Sequence, residues 1–164
     1  YFMSTDTPHC LCGSSLTYQQ CCELLHTGET QALTAEILMR SRFTAYAMHN
    51  AAYLLTSWDV STRPAEVDFS KDTGKWTQLE IVMLKKGAAK DHKGIVEFKA
   101  YFTVDGEQRV MNEVSRFIKK QGNWFYQDGK VKSIALDHGS FNQGLNAPCA
   151  CGSSKKFKRC CGQQ

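Results

Sequence analysis

Cysteine is absent from the 126 residues between Cys22 and Cys149, so all eight cysteines of this 164-residue chain crowd into its two ends and thiol chemistry is confined there. No apolar run approaches the roughly 20 residues that a membrane-spanning helix needs, and the chain reads as a soluble protein with no place in a membrane. No basic stretch followed by an apolar run marks the first residues; with no secretory signal visible, the expected compartment is the cytoplasm. A Gly-rich phosphate loop and a nucleophile elbow are both missing. The five histidines are scattered, and His9, His26, His49, His92 and His138 read as surface or loop positions that pair with no cysteine motif. These gaps leave an enzyme the less favoured reading. Acidic residues are missing from positions 147 to 164, which hold Lys155, Lys156, Lys158 and Arg159; the formal charge of +4 therefore sits on that segment, and the remainder sums to zero.

What the chain does have, it has twice. Cys10, Cys12, Cys21 and Cys22 are spaced C-x-C-x8-C-C, and so are Cys149, Cys151, Cys160 and Cys161. Four thiolates within a dozen residues suit a closed tetrahedral Zn²⁺ site, structural and not catalytic, with Zn–S bonds of about 2.3 Å. Gly13-Ser14 and Gly152-Ser153 follow each C-x-C, where a loop wrapping a metal needs small residues, and the backbone N–H groups of such a turn can donate to the sulfurs. Disulfides are the rival reading. Neighbours such as Cys21 and Cys22 are badly placed to bridge one another, and disulfides are rare in a reducing cytosol. Two structural zinc ions per chain are thus the expected cofactors.

The pattern C-x-C-G-S-x-K-K-x-K-x-C-C resembles the SEC-C motif, the zinc-binding tail of the protein translocation motor SecA. The copy from Cys149 to Gly162 matches it closely, including Lys155, Lys156, Phe157 and Lys158. In the first copy Leu16-Thr17-Tyr18-Gln19-Gln20 replaces the basic run, so only the ligands carry over. The resemblance implies protein docking, in secretion chaperoning or at the ribosome. The residues themselves point the same way: Phe157 stands among Lys155, Lys156, Lys158 and Arg159, an aromatic anchor in a cationic rim that suits an acidic protein surface or nucleic-acid phosphates. A Zn–Cys₄ centre carries a formal charge of −2, so part of this lysine content balances the centre beside it.

Between the knuckles, 42% hydrophobic content over this length supports one ordinary core. Glu23 to Gln31, with Gly28, reads as a linker. Thr34 is a plausible N-cap for a helix with one broad apolar face (Ile37, Leu38, Ser41, Ala45 and Met48, flanked by Met39, Phe43 and Tyr46), and Glu36 can pair with Arg40 on its outside. A second short helix is expected from Ala51 to about Ser57, then a loop from Asp59 to Gly74. From Trp76 the period becomes two: strands over Trp76 to Lys85, Ile95 to Val104, Val110 to Lys119 and Trp124 to Gln127. Lys130 to Ala147 reads as a weakly patterned connection. The expected class is α+β, helices packed on a curved antiparallel meander, divided as residues 1–30 (first knuckle and linker), 31–135 (core) and 136–164 (linker and second knuckle). This core resembles the cone of the nuclear-transport-factor-two-like superfamily. The whole order, with Leu38-Met-Arg-Ser-Arg-Phe-Thr-Ala-Tyr46, Ser61-Thr-Arg-Pro64, Gly94-Ile-Val-Glu-Phe98, Glu113-Val-Ser-Arg-Phe117 and Trp124-Phe-Tyr-Gln-Asp-Gly129, resembles the bacterial YchJ family, which implies no particular activity. Asp59 stands where the family pattern suggests a histidine.

Asp105-Gly106 is a two-residue hairpin signal. If Val104 pairs with Glu107, Phe98 meets Glu113 and Val96 meets Ser115, which puts Glu113 and Ser115 on the helix-covered face. A three-residue loop would send Asn112 and Arg116 inward instead; the first register is favoured because a buried Arg116 is costlier than one carboxylate. A buried carboxylate needs a partner or a proton, and Arg42 and Tyr46 are the candidates. Trp58 and Tyr126 could line the same space, with Tyr53 and Tyr101. Two functions follow. One is a binding or adaptor module whose basic C-terminal knuckle docks an acidic protein or a ribosomal or nucleic-acid partner. The alternative is a small-molecule binder or enzyme with Glu113 as acid and base in a cone-shaped pocket, weighed against a plain structural Glu113–Arg42 pair and an all-structural role for zinc.

Overall fold

The computed structural model describes residues 8 to 137. Residues 1–7 and 138–164 lie outside it, and with them His138, the second cysteine set (Cys149, Cys151, Cys160 and Cys161) and the basic run Lys155, Lys156, Phe157, Lys158 and Arg159.

Three helices precede four strands: α1 (Cys22–His26), α2 (Ala35–Ala47), α3 (Ala51–Thr56), β1 (Lys75–Lys86), β2 (Lys93–Val104), β3 (Glu107–Lys120) and β4 (Asn123–Leu136). The strands form one antiparallel meander in the order β1-β2-β3-β4. α2 begins where its cap says it should, with the Thr34 hydroxyl accepting from the Ile37 N–H at 3.2 Å. Asn50 caps α3 in the same way, accepting from the Tyr53 N–H at 3.1 Å. The core lies between α2 and the sheet: Leu38, Met39 and Phe43 from the helix meet Val96, Phe98, Ala100 and Phe117. Each large side chain removed from water there contributes about 1.5–3 kcal/mol.

The start of α2 is fixed by a close approach. The Ala35 N–H donates to the Gly87 carbonyl at 2.9 Å. A Cβ on Gly94 would come within 2.6 Å of the Gly87 Cα, and one on Gly87 within 2.8 Å of the Ala35 Cβ. Two bare backbones therefore cross under the helix, and Gly87 also holds φ at +85°, which favours glycine.

The β2–β3 hairpin has the two-residue turn expected from sequence, with Asp105 and Gly106 both at positive φ (51° and 77°). Val104 pairs with Glu107, Phe102 with Arg109, Ala100 with Met111, Phe98 with Glu113 and Val96 with Ser115. The helix-facing side of β3 is thus Met111, Glu113, Ser115 and Phe117.

Three expectations need correction. The segment after Cys22 is not all linker, because it opens with α1. Its His26 is half-buried: the ring packs 4.5 Å from that of Tyr53, with Nε2 bonded to the Ser41 carbonyl at 2.8 Å and Nδ1 to the Tyr18 hydroxyl at 2.9 Å. The fourth strand does not close at Asp128-Gly129 but runs on to Leu136, pairing with β3 throughout; the connection read from Lys130 onward begins as strand. It is an exposed edge that mixes Lys130, Lys132 and Ser133 with uncovered Val131, Ile134 and Leu136, and its extra residues at Gln127 and Lys132 reset the parity of the strand twice, so no alternation shows. Finally, the outer side of α2 is not free. Arg40 does pair with Glu36, at 3.2 Å, but it also donates to the Cys12 carbonyl, so the first knuckle sits on that side.

Candidate functional site

The chain folds the first cysteine set into a cluster from two short turns. The Cys10 N–H donates to the Leu16 carbonyl at 2.7 Å and the Gly13 N–H returns to the Cys10 carbonyl at 3.2 Å, with Gly13 at φ +88°. α1 then carries Cys22 inward beside Cys21. The four Sγ atoms all lie within 4.8 Å of one another. Cys12 and Cys21 are 3.5 Å apart, and Cys21 and Cys22 3.9 Å. A disulfide needs about 2.05 Å. The edge of a tetrahedron with metal–sulfur bonds of about 2.3 Å is about 3.8 Å. The thiols are free of disulfides, and Cys10, Cys12 and Cys22 are buried.

The surroundings favour one thiolate, at Cys12, while burial pushes the Cys21 thiol up. Cys12 is held far below the usual thiol range, chiefly because the Cys10 and Cys22 thiols donate to it, with the Ser14 hydroxyl and backbone N–H adding to this. Cys22, the donor in that arrangement, is pushed up. The Ser14 hydroxyl also donates to Cys21 at 3.1 Å. Thr44 of α2 lies 3.8 Å from the Cys10 sulfur. These are the outer contacts that orient ligands in metal sites. Cys10, Cys12, Cys21 and Cys22 can therefore hold a metal ion, and Arg40 is the cation set against this knuckle.

On the opposite side of α2 a cleft of ≈ 240 Å³ runs between the helix and the sheet. Its apolar wall includes Met39, Phe43, Trp76, Phe98 and Met111; Arg42, Tyr46, Glu113, Ser115 and Tyr126 form its polar end. Five of the six residues singled out from sequence are thus brought together. Trp58 is not on the wall. It backs the site, edge-on to Tyr126 at 5.0 Å and 5.1 Å from the Arg42 guanidinium. Tyr53 packs with His26 on the knuckle side of α2. Tyr101 lies on the other sheet face, where its hydroxyl donates to Glu80 at 2.8 Å.

Arg42 is 2% exposed and makes no direct ion pair with Glu113 among the described residues. Its Nη1 donates instead to the Leu54 carbonyl at 2.8 Å and the Ser57 hydroxyl at 2.6 Å, both at the end of α3. Tyr126 lies between the two charged groups: its ring is 4.4 Å from the guanidinium, and its hydroxyl helps to hold the Glu113 carboxyl down. Burial pushes the Glu113 carboxyl up, opposed by Ser115, Arg42 and Tyr126 in that order. The Ser115 hydroxyl donates to Glu113 Oε1 at 3.1 Å. Gly129 was not singled out from sequence, yet the site requires it. A Cβ there would fall 2.2 Å from Glu113 Oε1, 2.8 Å from the Tyr126 hydroxyl and 3.0 Å from Ser115 Oγ. The signal was present in the strand-interior glycine of Trp124-Phe-Tyr-Gln-Asp-Gly129, since such a glycine often marks close approach of another group.

Asp59 anchors the back of the same unit. Its N–H donates to the Tyr126 carbonyl at 2.7 Å, and its buried carboxylate takes Lys120 at 2.5 Å and the Ser61 hydroxyl. Those partners, Lys120 first, hold it below the usual carboxylate range. No helix among the described residues is long and apolar enough to cross a membrane.

Comparison with known proteins agrees with this architecture. The family model of the YchJ middle NTF2-like domain matches residues 34–129, and that of the SEC-C motif matches residues 146–163. A UPF0225 protein of Vibrio parahaemolyticus is 38% identical over 165 residues, covering 93% of this chain and 98% of that protein. One from Serratia proteamaculans is 41% identical over 162 residues, covering 94% and 97%. Among solved structures, a SEC-C motif containing protein from Rhodopseudomonas palustris superposes with a TM-score of 0.68 at 30% identity, over 77% of this chain and all of that one. Another from Psychrobacter arcticus gives 0.61 at 28% identity, over 93% and 94%. With matches that span the α2-to-β4 core and both chains' lengths, the protein belongs to the UPF0225 family, whose central unit is the YchJ NTF2-like domain.

Proposed function

We propose that the protein is a zinc-stapled adaptor, in which each cysteine set binds one structural Zn²⁺ and the basic C-terminal knuckle docks an acidic partner, a protein surface or the ribosome. The observation that carries the metal half is the four-sulfur cluster, whose 3.5 and 3.9 Å separations fit the edge of a tetrahedral thiolate site. All four positions around such an ion are filled by sulfur, which supports a holding role over a catalytic one. The docking half is supported by Lys155, Lys156, Lys158 and Arg159 around Phe157, and by the SEC-C match over that segment.

Elemental analysis of protein purified without chelator is expected to give two zinc ions per chain; one ion or none would overturn the metal assignment. The triple variant Lys155→Glu, Lys156→Glu, Lys158→Glu should lose salt-sensitive co-sedimentation with purified ribosomes, and retention on an acidic polypeptide column, while zinc content and melting stay the same. Undiminished retention of that variant would reject the basic run as the docking surface.

A further inference from the structure

The cleft on the sheet side of α2 has no part in metal binding or docking, and its make-up is unlike a packing defect. Interiors are close-packed, and voids of this size are few and costly. Room is left because Ala100 stands on the floor, opposite Met111 and between Phe98 and Phe102 on its own face. At one end the space meets two opposite charges that do not neutralise each other by direct contact. Arg42 is fastened by Nη1 to α3, and Glu113 by the Ser115 hydroxyl. The end of the cleft is thus neutral overall yet offers donors (the guanidinium and the Tyr46 hydroxyl) beside an acceptor (the carboxylate).

This arrangement selects by charge and by pattern. An anion drawn to Arg42 would meet the Glu113 carboxylate, and a cation drawn to Glu113 would meet the guanidinium; either leaves one charge unbalanced in a place where that is expensive. An uncharged head with a carbonyl and an N–H side by side satisfies both groups at once. The remaining wall is aromatic and thioether, with Phe43 and Trp76 edge to face at 6.2 Å, which suits a flat apolar body. A volume of ≈ 240 Å³ is roughly eight times a water's share of the liquid, so it takes a single ring with a short head. We propose that the cleft between α2 and the sheet is a binding site for a small, uncharged, ring-bearing amide or lactam, held by Arg42 and Glu113 at its polar end and by Phe43, Trp76 and Met111 along its body.

The test uses the full chain with labelled methionine methyl groups, because Met39 and Met111 line the cleft. Benzamide, benzoate and benzylammonium are titrated as probes of one shape and three charges. Benzamide is expected to shift both methyl signals saturably, and to bind about tenfold more tightly than either ion. Ala100→Met should fill the floor and weaken benzamide at least tenfold without lowering the melting temperature. Glu113→Gln keeps the shape and removes the negative charge, so benzoate should gain on benzamide by about fivefold or more; this second variant decides the matter if the first fails to fold. Absence of a saturable shift with any probe, a charged probe binding as well as benzamide, or an unchanged ranking in Glu113→Gln would overturn the assignment.

Discussion

Replacing Arg42 with methionine tests whether the polar end of the cleft is organised as described. The side chain is 2% exposed, and methionine roughly matches its bulk, so packing is preserved and the change is mostly one of charge and hydrogen bonding. Two hydrogen bonds from a charged donor are lost, at 2.8 and 2.6 Å, each worth about 1.5–3 kcal/mol. Contacts with the Tyr126 and Trp58 rings, at 4.4 and 5.1 Å, add about 1 kcal/mol apiece. Set against this is the desolvation that a buried guanidinium has already cost, several kcal/mol. The net expectation is a loss of about 3 kcal/mol, a large share of the stability of a domain this size. Urea unfolding at neutral pH measures it as a fall in midpoint at constant slope. The variant also removes the positive field that helps keep Glu113 ionised. Adding Glu113→Gln to Arg42→Met should therefore restore about 1 kcal/mol beyond what Glu113→Gln gains by itself, a non-additivity seen only when two groups share a network. A single-variant loss under about 1 kcal/mol, or a double variant equal to the sum of its parts, would refute the reasoning.

Three further outcomes are expected. Because the fold raises the Glu113 carboxyl above its unfolded value, its ionisation opposes folding: stability is in place at acid pH and falls as pH rises through the raised value, so Glu113→Gln should be the more stable protein at neutral pH and equal to the parent below the ordinary carboxylate range, by urea midpoint against pH. Asp59 has the opposite sign. Its Lys120 and Ser61 contacts lower the carboxyl, so their stabilisation is present above the ordinary range and is lost as pH falls through the lowered value; Asp59→Asn should remove that part of the acid limb. Gly129→Ala puts a methyl 2.2 Å from Glu113 Oε1 and 2.8 Å from the Tyr126 hydroxyl, and should cost about 1–3 kcal/mol in thermal or urea unfolding while displacing the Glu113 side chain in nuclear magnetic resonance spectra. A neutral Gly129→Ala would mean that the cluster over this strand is looser than its distances indicate.

Much of this was readable from the chain because the informative positions obey short-range rules. Thr34 capped α2, Asp105-Gly106 set a two-residue turn, and one turn fixed twelve β2–β3 pairs, so the facing of Glu113 and Ser115 followed from counting. The cysteine spacing announced a cluster because four ligands on two turns need little long-range help. Other features resisted for physical reasons. β4 is an edge whose outer half packs on little, and two extra residues erase its period. Arg42 was expected to reach Glu113, but the α3 terminus offers it a carbonyl and a hydroxyl at closer range, and only the tertiary fold brings that terminus near. Gly129 looked like a turn residue because the strand was taken to end there. His26 looked like a surface residue because nothing local shows that Tyr53, 27 positions on, will lie under its ring.

α2 is clasped from two sides. Arg40, Ser41 and Thr44 meet the cysteine turns and α1, while Met39, Arg42, Phe43 and Tyr46 look into the cleft. The six consecutive residues from Met39 to Thr44 are thus divided between the knuckle side and the cleft, three to each. If the four sulfurs hold an ion as proposed, stripping it would not merely fray an appendage; it would loosen the helix that also forms one wall of the cleft.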